Sequence, residues 1–219
     1  MPDPSDFRES THLHDGGPVP RELTHEPTDD GLDRAAAAVR RLTDSLIRLG
    51  PDTAYDLDTL AKQIEEMAEE VAQHHPDTGQ RMAQMWDEPR HDPATGTQNP
   101  IAPLLRMNGL ADGSVAGSVT LPIAYQGQPG MAHGGISALM LDHALGFANG
   151  WAGLGGMTAR LTLNYKRPTP LFVPLTVTAR QTGTEGRKIF CEAVLSHEGE
   201  VLVTAEALFI AGHLPRPGA

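Results

Sequence analysis

The sequence contains a single cysteine, few aromatic residues and no long apolar run. Cys191 has no partner for an internal disulfide, and a lone thiol is typical of a protein from a reducing compartment. Because Phe, Trp and Tyr make up only 5% of the residues, aliphatic side chains must form most of any core. No segment has the apolar length that a bilayer span needs, and residues 1–10 are polar, so we expect a cytoplasmic protein without a membrane span.

Basic residues are also scarce, since 17 Lys and Arg face 28 Asp and Glu and give a formal net charge of −11. Most of the acidic residues precede residue 93. Such a chain has no general reason to bind nucleic acid, although a local basic patch could hold a phosphorylated ligand. The histidines at positions 12, 14, 74 and 75 lack the Cys or acidic partners of a metal site, so we expect no bound metal.

Composition and periodicity divide the chain into four parts. Residues 1–30 are rich in Pro, Asp, Gly and His without apolar periodicity, and we expect a flexible acidic tail. Residues 31–75 have the period of amphipathic helices and predict a helical hairpin. Residues 76–102 contain four prolines and indicate a linker that runs over the surface. Residues 103–219 then form the main domain.

The hairpin is predicted from two apolar stripes, on helices at 31–49 and about 56–75. Their residues are Leu32, Ala35, Val39, Leu42, Leu46 and Leu49, followed by Leu57, Leu60, Ile64, Met67 and Val71. We expect the stripes to pack on the main domain or on a partner. This packing would be purely structural, or it would make the hairpin a lid or an oligomerisation element.

From residue 103 onwards apolar residues recur with period two, which predicts strands. The strands fall at 103–109, 114–122, 157–166, 172–183, 187–197 and 200–211. One nearly all-apolar helix, at 132–149, separates the second strand from the third. Short turns indicate a mostly antiparallel sheet, and only its concave face could bury so apolar a helix. The predicted fold class is therefore α+β.

The predicted helix at 132–149 carries the residues that point to chemistry. Gly134 and Gly135 stand at its start and lack Cβ atoms, so a ligand could approach the first amides closely. The partial positive charge of a helix start favours a developing oxyanion there. Asp142 has apolar neighbours three and four positions away on both sides, and a carboxylate on an apolar face costs several kcal/mol unless it is paired or used.

Spacing along this helix predicts a site shared between two chains. Gly134 and Asp142 are separated by about 12 Å at about 1.5 Å of rise per residue. One substrate carbonyl cannot contact both within one chain. If both residues serve one reaction, they come from two copies of the chain, and a two-fold dimer would supply two equivalent sites.

Three segments resemble the hotdog-fold acyl-CoA thioesterases, in particular the PaaI-like branch that includes the human mitochondrial thioesterase-superfamily enzymes. They are HGGISALMLD at 133–142, the strand start Met157-Thr158-Ala159, and LNYKRPTPL at 163–171. The similarity covers roughly residues 98–211. It implies a sheet wrapped around the long helix, a homodimer or dimer of dimers with sheets joined edge to edge, and active sites at the dimer interface.

The resemblance also implies roles for individual residues in the hydrolysis of an acyl-CoA. The backbone amide of Gly134, assisted by His133 and the helix start, would polarise the thioester carbonyl. Asp142 of the other protomer would act as general base on water or as nucleophile. Thr158 would hold the water or the carboxylate. Thioesters are activated enough to need no metal or cofactor.

Coenzyme A needs cationic contacts for its phosphates and an apolar channel for its acyl chain. Ser137, Met140 and Leu141 are candidates for shaping the acyl site. The residues that we expect to contact the coenzyme are Gly135, Lys166, Arg167, Arg187 and Lys188. Each of the four cations could equally be a solvated charge that protects a sheet edge from aggregation.

Two alternatives to hydrolysis remain at this point. One is a hotdog hydratase or dehydratase acting on an acyl thioester, although the His and acid arrangement of such enzymes is not apparent. The other is a non-catalytic acyl-CoA-binding protein whose functional surface is the helical hairpin. His143 directly follows Asp142 but points about 100° away around the helix, so a Ser/His/Asp-type relay between the two is not expected.

Overall fold

The computed structural model describes residues 18–85 and 89–212. Helices alternate with short irregular segments in the first half, and strands dominate the second half. The elements are β1 (Arg21–Glu22), α1 (Gly31–Arg48), α2 (Leu57–Ala72), α3 (Thr78–Met85), β2 (Arg106–Gly109), β3 (Val115–Thr120), α4 (Gly134–Trp151), β4 (Gly156–Tyr165), β5 (Pro174–Glu185), β6 (Lys188–His197) and β7 (Glu200–Ala211). Single 3-10 turns lie at Pro89–His91 and Ile123–Tyr125. The predicted α+β class is confirmed.

The seven strands form one sheet in the order β1-β2-β3-β5-β6-β7-β4, and every neighbouring pair is antiparallel. Helix α4 packs against β2 through β7. The fully buried side chains on α4 are Met140, Leu141, Ala144, Leu145 and Ala148. Burial of each large apolar side chain contributes about 1.5–3 kcal/mol. The helix is therefore held rigidly inside the sheet.

Residues 18–30 differ from the predicted flexible tail, whose residues 1–17 lie outside the described part of the chain. Arg21 and Glu22 pair with Gly109 and Asn108 of β2. The amide of Leu23 donates to the carbonyl of Met107 at 2.9 Å, and Leu23 packs against the core. Two residues of strand are too short to leave a periodic signal in the sequence.

The predicted linker at 76–102 is also more structured than its prolines indicate. It contains α3, and its residues Ala94, Thr95, Thr97 and Ala102 are buried. Asp92 organises the turn, since its Oδ1 accepts hydrogen bonds from the amides of Ala94 at 2.8 Å and Thr95 at 2.7 Å. We refer to residues 89–99 as the 89–99 loop.

Both predicted N-terminal helices are present, but α1 docks through a different face from the one expected. Its buried residues are Asp33 and Ala36, and Arg40 donates to the carbonyls of Asn99 at 2.9 Å and Thr97 at 3.1 Å. This face lies more than 100° around the helix from the predicted apolar stripe. The stripe does not pack on the main domain, because Leu32 and Val39 are 57% and 46% exposed, and its packing on a partner stays a prediction.

Helix α2 contributes no buried residue, and among the described elements it makes no extensive contact with another helix or strand. The turn between α1 and α2 lies where the sequence predicts it. The close mutual packing implied by a hairpin is not seen between these two described helices. Within the described ranges, no helix is long and apolar enough to cross a membrane.

A buried carboxylate joins α1 to the 89–99 loop. Oδ2 of Asp33 accepts hydrogen bonds from the amide and hydroxyl of Thr28, both at 2.6 Å, and lies 3.2 Å from Nη1 of Arg90. Oδ1 accepts from the hydroxyl of Thr97 at 2.8 Å. Burial alone would raise the pKa of Asp33, but these hydrogen bonds and the guanidinium together lower it to about 2.

Replacement of Asp33 by Asn should lower the free energy of unfolding by about 2 kcal/mol at pH 7. Because the pKa of Asp33 is lower in the folded chain than in the unfolded one, its contribution is complete above about pH 5. The difference between wild type and variant should shrink as pH falls through about 4 and vanish below about pH 2. Urea unfolding at a series of pH values measures it.

Asp29→Asn provides the matched control, because Asp29 pairs with Arg34 in solvent and its side chain is 94% exposed. We expect this control to change stability by no more than about 0.5 kcal/mol. An equal loss from both variants, or a loss at Asp33 that does not depend on pH, would contradict the role assigned to the buried carboxylate.

Candidate active site

The start of α4 is built so that one amide remains open. His133 caps the helix, with its Nδ1 accepting from the amide of Gly135 at 3.0 Å. The amide of Gly134, the first helical residue, has no acceptor among the described residues. The hydroxyl of Tyr165 donates to the Gly134 carbonyl at 2.9 Å and fixes the peptide from the β4 side. The geometry therefore leaves the Gly134 amide, and not that of Gly135, for a ligand.

A steric contact explains why residue 135 is a glycine. A Cβ at this position would lie 3.0 Å from Nδ1 of His133, so a larger residue would push away the capping ring. In this structure His133 acts on the helix start through its acceptor nitrogen, which keeps the proton of a neutral ring on Nε2. Its local role is to hold the turn that exposes the neighbouring amide.

A cavity of about 510 Å³ opens at this helix start. Gly134 lines it together with two of the predicted coenzyme contacts, Lys166 and Arg167. Arg167 also pairs with Glu200, at 2.6 Å from Nε to Oε1. The structure thus brings Lys166 and Arg167 to the open amide, as an anionic ligand would require.

Asp142 lies in a different cavity, of about 780 Å³. The hydroxyl of Thr158 donates to Oδ1 of Asp142 at 3.0 Å. Thr158 lies in β4 directly before an irregularity, because the pairing of β4 with β7 shifts register between Thr158 and Arg160. One carboxylate oxygen is therefore held by the strand, while Oδ2 makes no hydrogen bond within the described part of the chain.

The two halves of the predicted site do not meet within one protomer. Gly134 lines the first cavity, and Asp142 with Thr158 lines the second. Eight residues of straight helix keep them about 12 Å apart. This arrangement agrees with the spacing argument from the sequence and leaves each cavity with half of the proposed chemistry.

The second cavity runs along the later turns of α4. Gly146 and Gly150 lie one turn apart, and a Cβ at either position would meet nothing within 4 Å. One wall of this cavity is apolar, and it is formed by Leu23, Phe147, Trp151, Met157 and Phe209. Met140 and Leu141, which the sequence analysis assigned to the acyl site, are instead fully buried in the core and line neither cavity.

The N-terminal part of the chain supplies the other wall of this second cavity. Residues of the β1 segment and of the 89–99 loop line it, namely Arg21, Thr24, His25, Asp92 and Thr95, together with His143 from α4. Sequence reasoning missed this contribution. These positions are scattered through segments without periodicity, and no local pattern marks them.

Arg187 and Lys188 lie away from both cavities. Arg187 donates through Nε to the carbonyl of Ala211 at 3.0 Å, and Lys188 lies 3.6 Å from Glu185 across the turn between β5 and β6. They do not line the cavity that holds Lys166 and Arg167, so the structure does not test their predicted contact with the coenzyme. It stays a prediction that depends on a second copy of the chain.

A sheet that wraps one long helix, with an open amide at the helix start and a carboxylate further along it, defines the class of hotdog-fold proteins. Comparison with known proteins gives the family. The profile of the thioesterase superfamily matches residues 129–204. A second profile, described as the N-terminal helical domain of hypothetical protein RHA1_ro05818, matches residues 23–80.

A solved structure, described as thioesterase superfamily protein RHA08564, is 43% identical in sequence. The match covers 93% of this chain and 98% of that one, with a TM-score of 0.80. The chain belongs to the thioesterase superfamily, and the predicted family and hotdog fold are confirmed.

Curated relatives match over a shorter stretch. Acyl-coenzyme A thioesterase THEM4 of Bos taurus is 41% identical over 87 residues, which are 39% of this chain and 35% of the relative. THEM4 of Xenopus laevis is 40% identical over 87 residues, 39% of each chain. The match thus spans little more than a third of the length of these relatives.

The open space over Gly146 can be tested by adding a methyl group. Gly146→Ala should raise the free energy of unfolding by about 0.5–1 kcal/mol, because Ala favours the helix and its Cβ meets no atom. Gly109→Ala should lower it by about 1–3 kcal/mol, because its Cβ would overlap the indole ring of Trp151. Urea denaturation followed by circular dichroism measures both, and a loss at Gly146 equal to that at Gly109 would show that the space is filled.

Proposed function

We propose that this protein hydrolyses an acyl-CoA thioester to the free acid and coenzyme A. The proposal depends on the presence of two half-sites in one chain. One is the open amide at the start of α4, and the other is Asp142 of α4 with its hydrogen-bond partner Thr158 of β4. Membership of the thioesterase superfamily supports thioester hydrolysis as the reaction. The THEM4 relatives are named for acyl-coenzyme A substrates, which supports the choice of thiol.

Each half-site would perform one part of the chemistry. The thioester carbonyl oxygen would accept a hydrogen bond from the Gly134 amide, and one preorganised donor of this kind contributes about 3 kcal/mol to stabilising an oxyanion. Asp142 would take a proton from water as the water attacks the carbonyl carbon, or would attack the carbon itself to form a mixed anhydride that water then hydrolyses to the free acid and the Asp142 carboxylate. On either route the C–S bond breaks after the attack, and the departing thiolate of coenzyme A takes up a proton. Thr158 would hold Oδ1 and leave Oδ2 to act.

The exposed edge of the sheet supplies the means of joining two copies. β4 is ten residues long and, among the described strands, has a partner, β7, on one side only. Met157 and Tyr165 on this strand are both 56% exposed. A long, unpaired edge strand is a template for pairing with another strand. Pairing of β4 with β4 of a second copy would build a homodimer, or a dimer of dimers, and would set Thr158 and Asp142 of one chain near the Tyr165 end of the other.

The two cavities would divide the substrate between them. Lys166 and Arg167 beside the open amide would contact the phosphates of coenzyme A, and Arg187 with Lys188 of the second copy would add further cationic contacts. The acyl chain would enter the cavity over Gly146 and Gly150. We also propose a role in lipid metabolism and a cytoplasmic location for this protein.

Asp142→Asn should lower the rate of thiol release at least about 100-fold, because a positioned base contributes about 10²–10⁴-fold. The fold should survive, since the asparagine side chain keeps an oxygen that can accept from Thr158. Release of coenzyme A from short, medium, long and aromatic acyl-CoAs, followed with a thiol reagent, measures the rate and identifies the acyl class.

Asp112→Asn serves as the control, because Asp112 bonds only to its own turn at Ser114 and lies outside both cavities. This control should keep wild-type rates. Equal turnover by wild type and Asp142→Asn, or hydration of an enoyl-CoA in place of hydrolysis, would contradict the proposed reaction.

A further inference from the structure

His143 and Asp92 meet inside the cavity that also holds Asp142. Nε2 of His143 lies 3.4 Å from Oδ1 of Asp92, and both side chains line this cavity. They are partly buried, with 28% and 18% of their side chains exposed. The contact connects α4 to the 89–99 loop across about 50 residues of sequence, so the N-terminal region places a charged group next to the site.

Asp92 is held independently of His143. Its carboxylate accepts from the amides of Ala94 and Thr95 and from the Thr95 hydroxyl. The loop on which it lies is fixed in turn by Arg90 and Thr97, which bind the buried carboxylate of Asp33. Asp92 therefore presents a fixed carboxylate to the histidine ring, an electrostatic contact at 3.4 Å, and it keeps its own hydrogen bonds when that ring is removed.

The surroundings of His143 fix both the orientation of its ring and its protonation state. It packs edge-on against Phe147, with ring centroids 4.9 Å apart and an interplanar angle of 80°. Burial lowers the pKa of His143, against the opposing effects of Asp92 and Asp142, so the ring is neutral at neutral pH. A neutral ring beside a carboxylate keeps its proton on the facing nitrogen, here Nε2. Nδ1 is then an acceptor.

This acceptor makes no hydrogen bond among the described residues, where the ring interacts with Asp92, with Phe147 and, electrostatically, with Asp142. The position one turn further along the helix, Gly146, leaves open space in which a ligand could lie. An apolar acyl group in this space would cover the acceptor and leave it unpaired, whereas a hydroxyl group would satisfy it.

We propose that His143, oriented by Asp92, makes the acyl cavity selective for acyl groups that carry a hydroxyl close to the thioester carbonyl. The proximity to the carbonyl follows from the cavity, because His143 and Asp142 both line it although their side chains leave the helix in different directions. This inference rests on the proposed thioesterase function for the location of the carbonyl. A site built to bond a hydroxyl discriminates against the analogue that lacks it, since the buried acceptor is then unsatisfied.

Comparison of octanoyl-CoA with both enantiomers of 3-hydroxyoctanoyl-CoA tests the proposal. Wild type should favour one hydroxylated enantiomer by about 3- to 10-fold in kcat/KM, the effect of one net hydrogen bond. His143→Phe keeps the ring contact with Phe147 but has no acceptor, so its ratio should fall close to one, mainly through loss on the hydroxylated substrate. Asp92→Asn keeps the hydrogen bonds of the turn but removes the charge that holds the His143 proton on Nε2. It should therefore reduce the ratio of the two kcat/KM values only in part.

Binding of substrate analogues separates this proposal from the proposed reaction. Analogues with a methylene in place of the thioester sulfur cannot be hydrolysed, and calorimetry with the octanoyl and 3-hydroxyoctanoyl forms should give the same preference. Preference in binding without turnover would overturn the thioesterase function and retain the selectivity. Wild type that binds neither analogue, or binds both equally, would overturn the selectivity.

His197→Phe is the matched control, because His197 contacts the Pro174 carbonyl at 2.8 Å outside the cavity. It should leave the preference unchanged. A preference that survives His143→Phe, or that His197→Phe removes equally, would contradict the assignment to His143.

Discussion

One rigid helix, α4, fixes the distance between Gly134 at its start and Asp142 at its middle, and the rest of the structure depends on this constraint. The strands β2 through β7 pack against α4, and its apolar face is fully buried, so neither Gly134 nor Asp142 can move toward the other. Their separation of about 12 Å exceeds the reach of a single thioester carbonyl. The exposed edge strand β4, which carries both Thr158 and Tyr165, lies where a second copy could remove this separation. Under the proposed mechanism, catalysis therefore requires two assembled copies of the chain.

The N-terminal region contacts the site through polar groups as well as through the apolar side chain of Leu23. Asp33 on α1 binds Arg90 and Thr97, and the 89–99 loop carries Asp92 to His143 on α4. The segment around β1 closes another part of the same cavity. In the proposed function the matched thioesterase domain would supply the reacting groups, and the preceding residues supply one wall of the cavity beside them. Differences in this wall are a physical means of changing the acyl group without changing the chemistry.

The sequence predicts what local periodicity and spacing encode. The period-two segments after residue 103 correspond to the observed strands, and the spacing from Gly134 to Asp142 anticipates two separate half-sites. The docking of α1 by its polar face was not predictable, because an apolar stripe marks a helix face but not the surface that covers it. The contact between Asp92 and His143 depends on a loop folded back over about 50 residues, and no short pattern records such a contact.

A mixed dimer tests the shared site most directly. One chain carries Asp142→Asn and the other carries Gly134→Pro, which removes the open amide at a first helical position where Pro is tolerated. Each homodimer should lose about 100-fold or more in thiol release. Gly134→Ala keeps the amide and adds only a Cβ, which would lie 3.3 Å from the Tyr165 ring, so it should lose less activity than Gly134→Pro and measures this steric effect by itself. In the purified heterodimer one site combines the intact Gly134 of one chain with the intact Asp142 of the other, so about half of the wild-type activity should return. A heterodimer as inactive as its parents would show that each site lies within one chain.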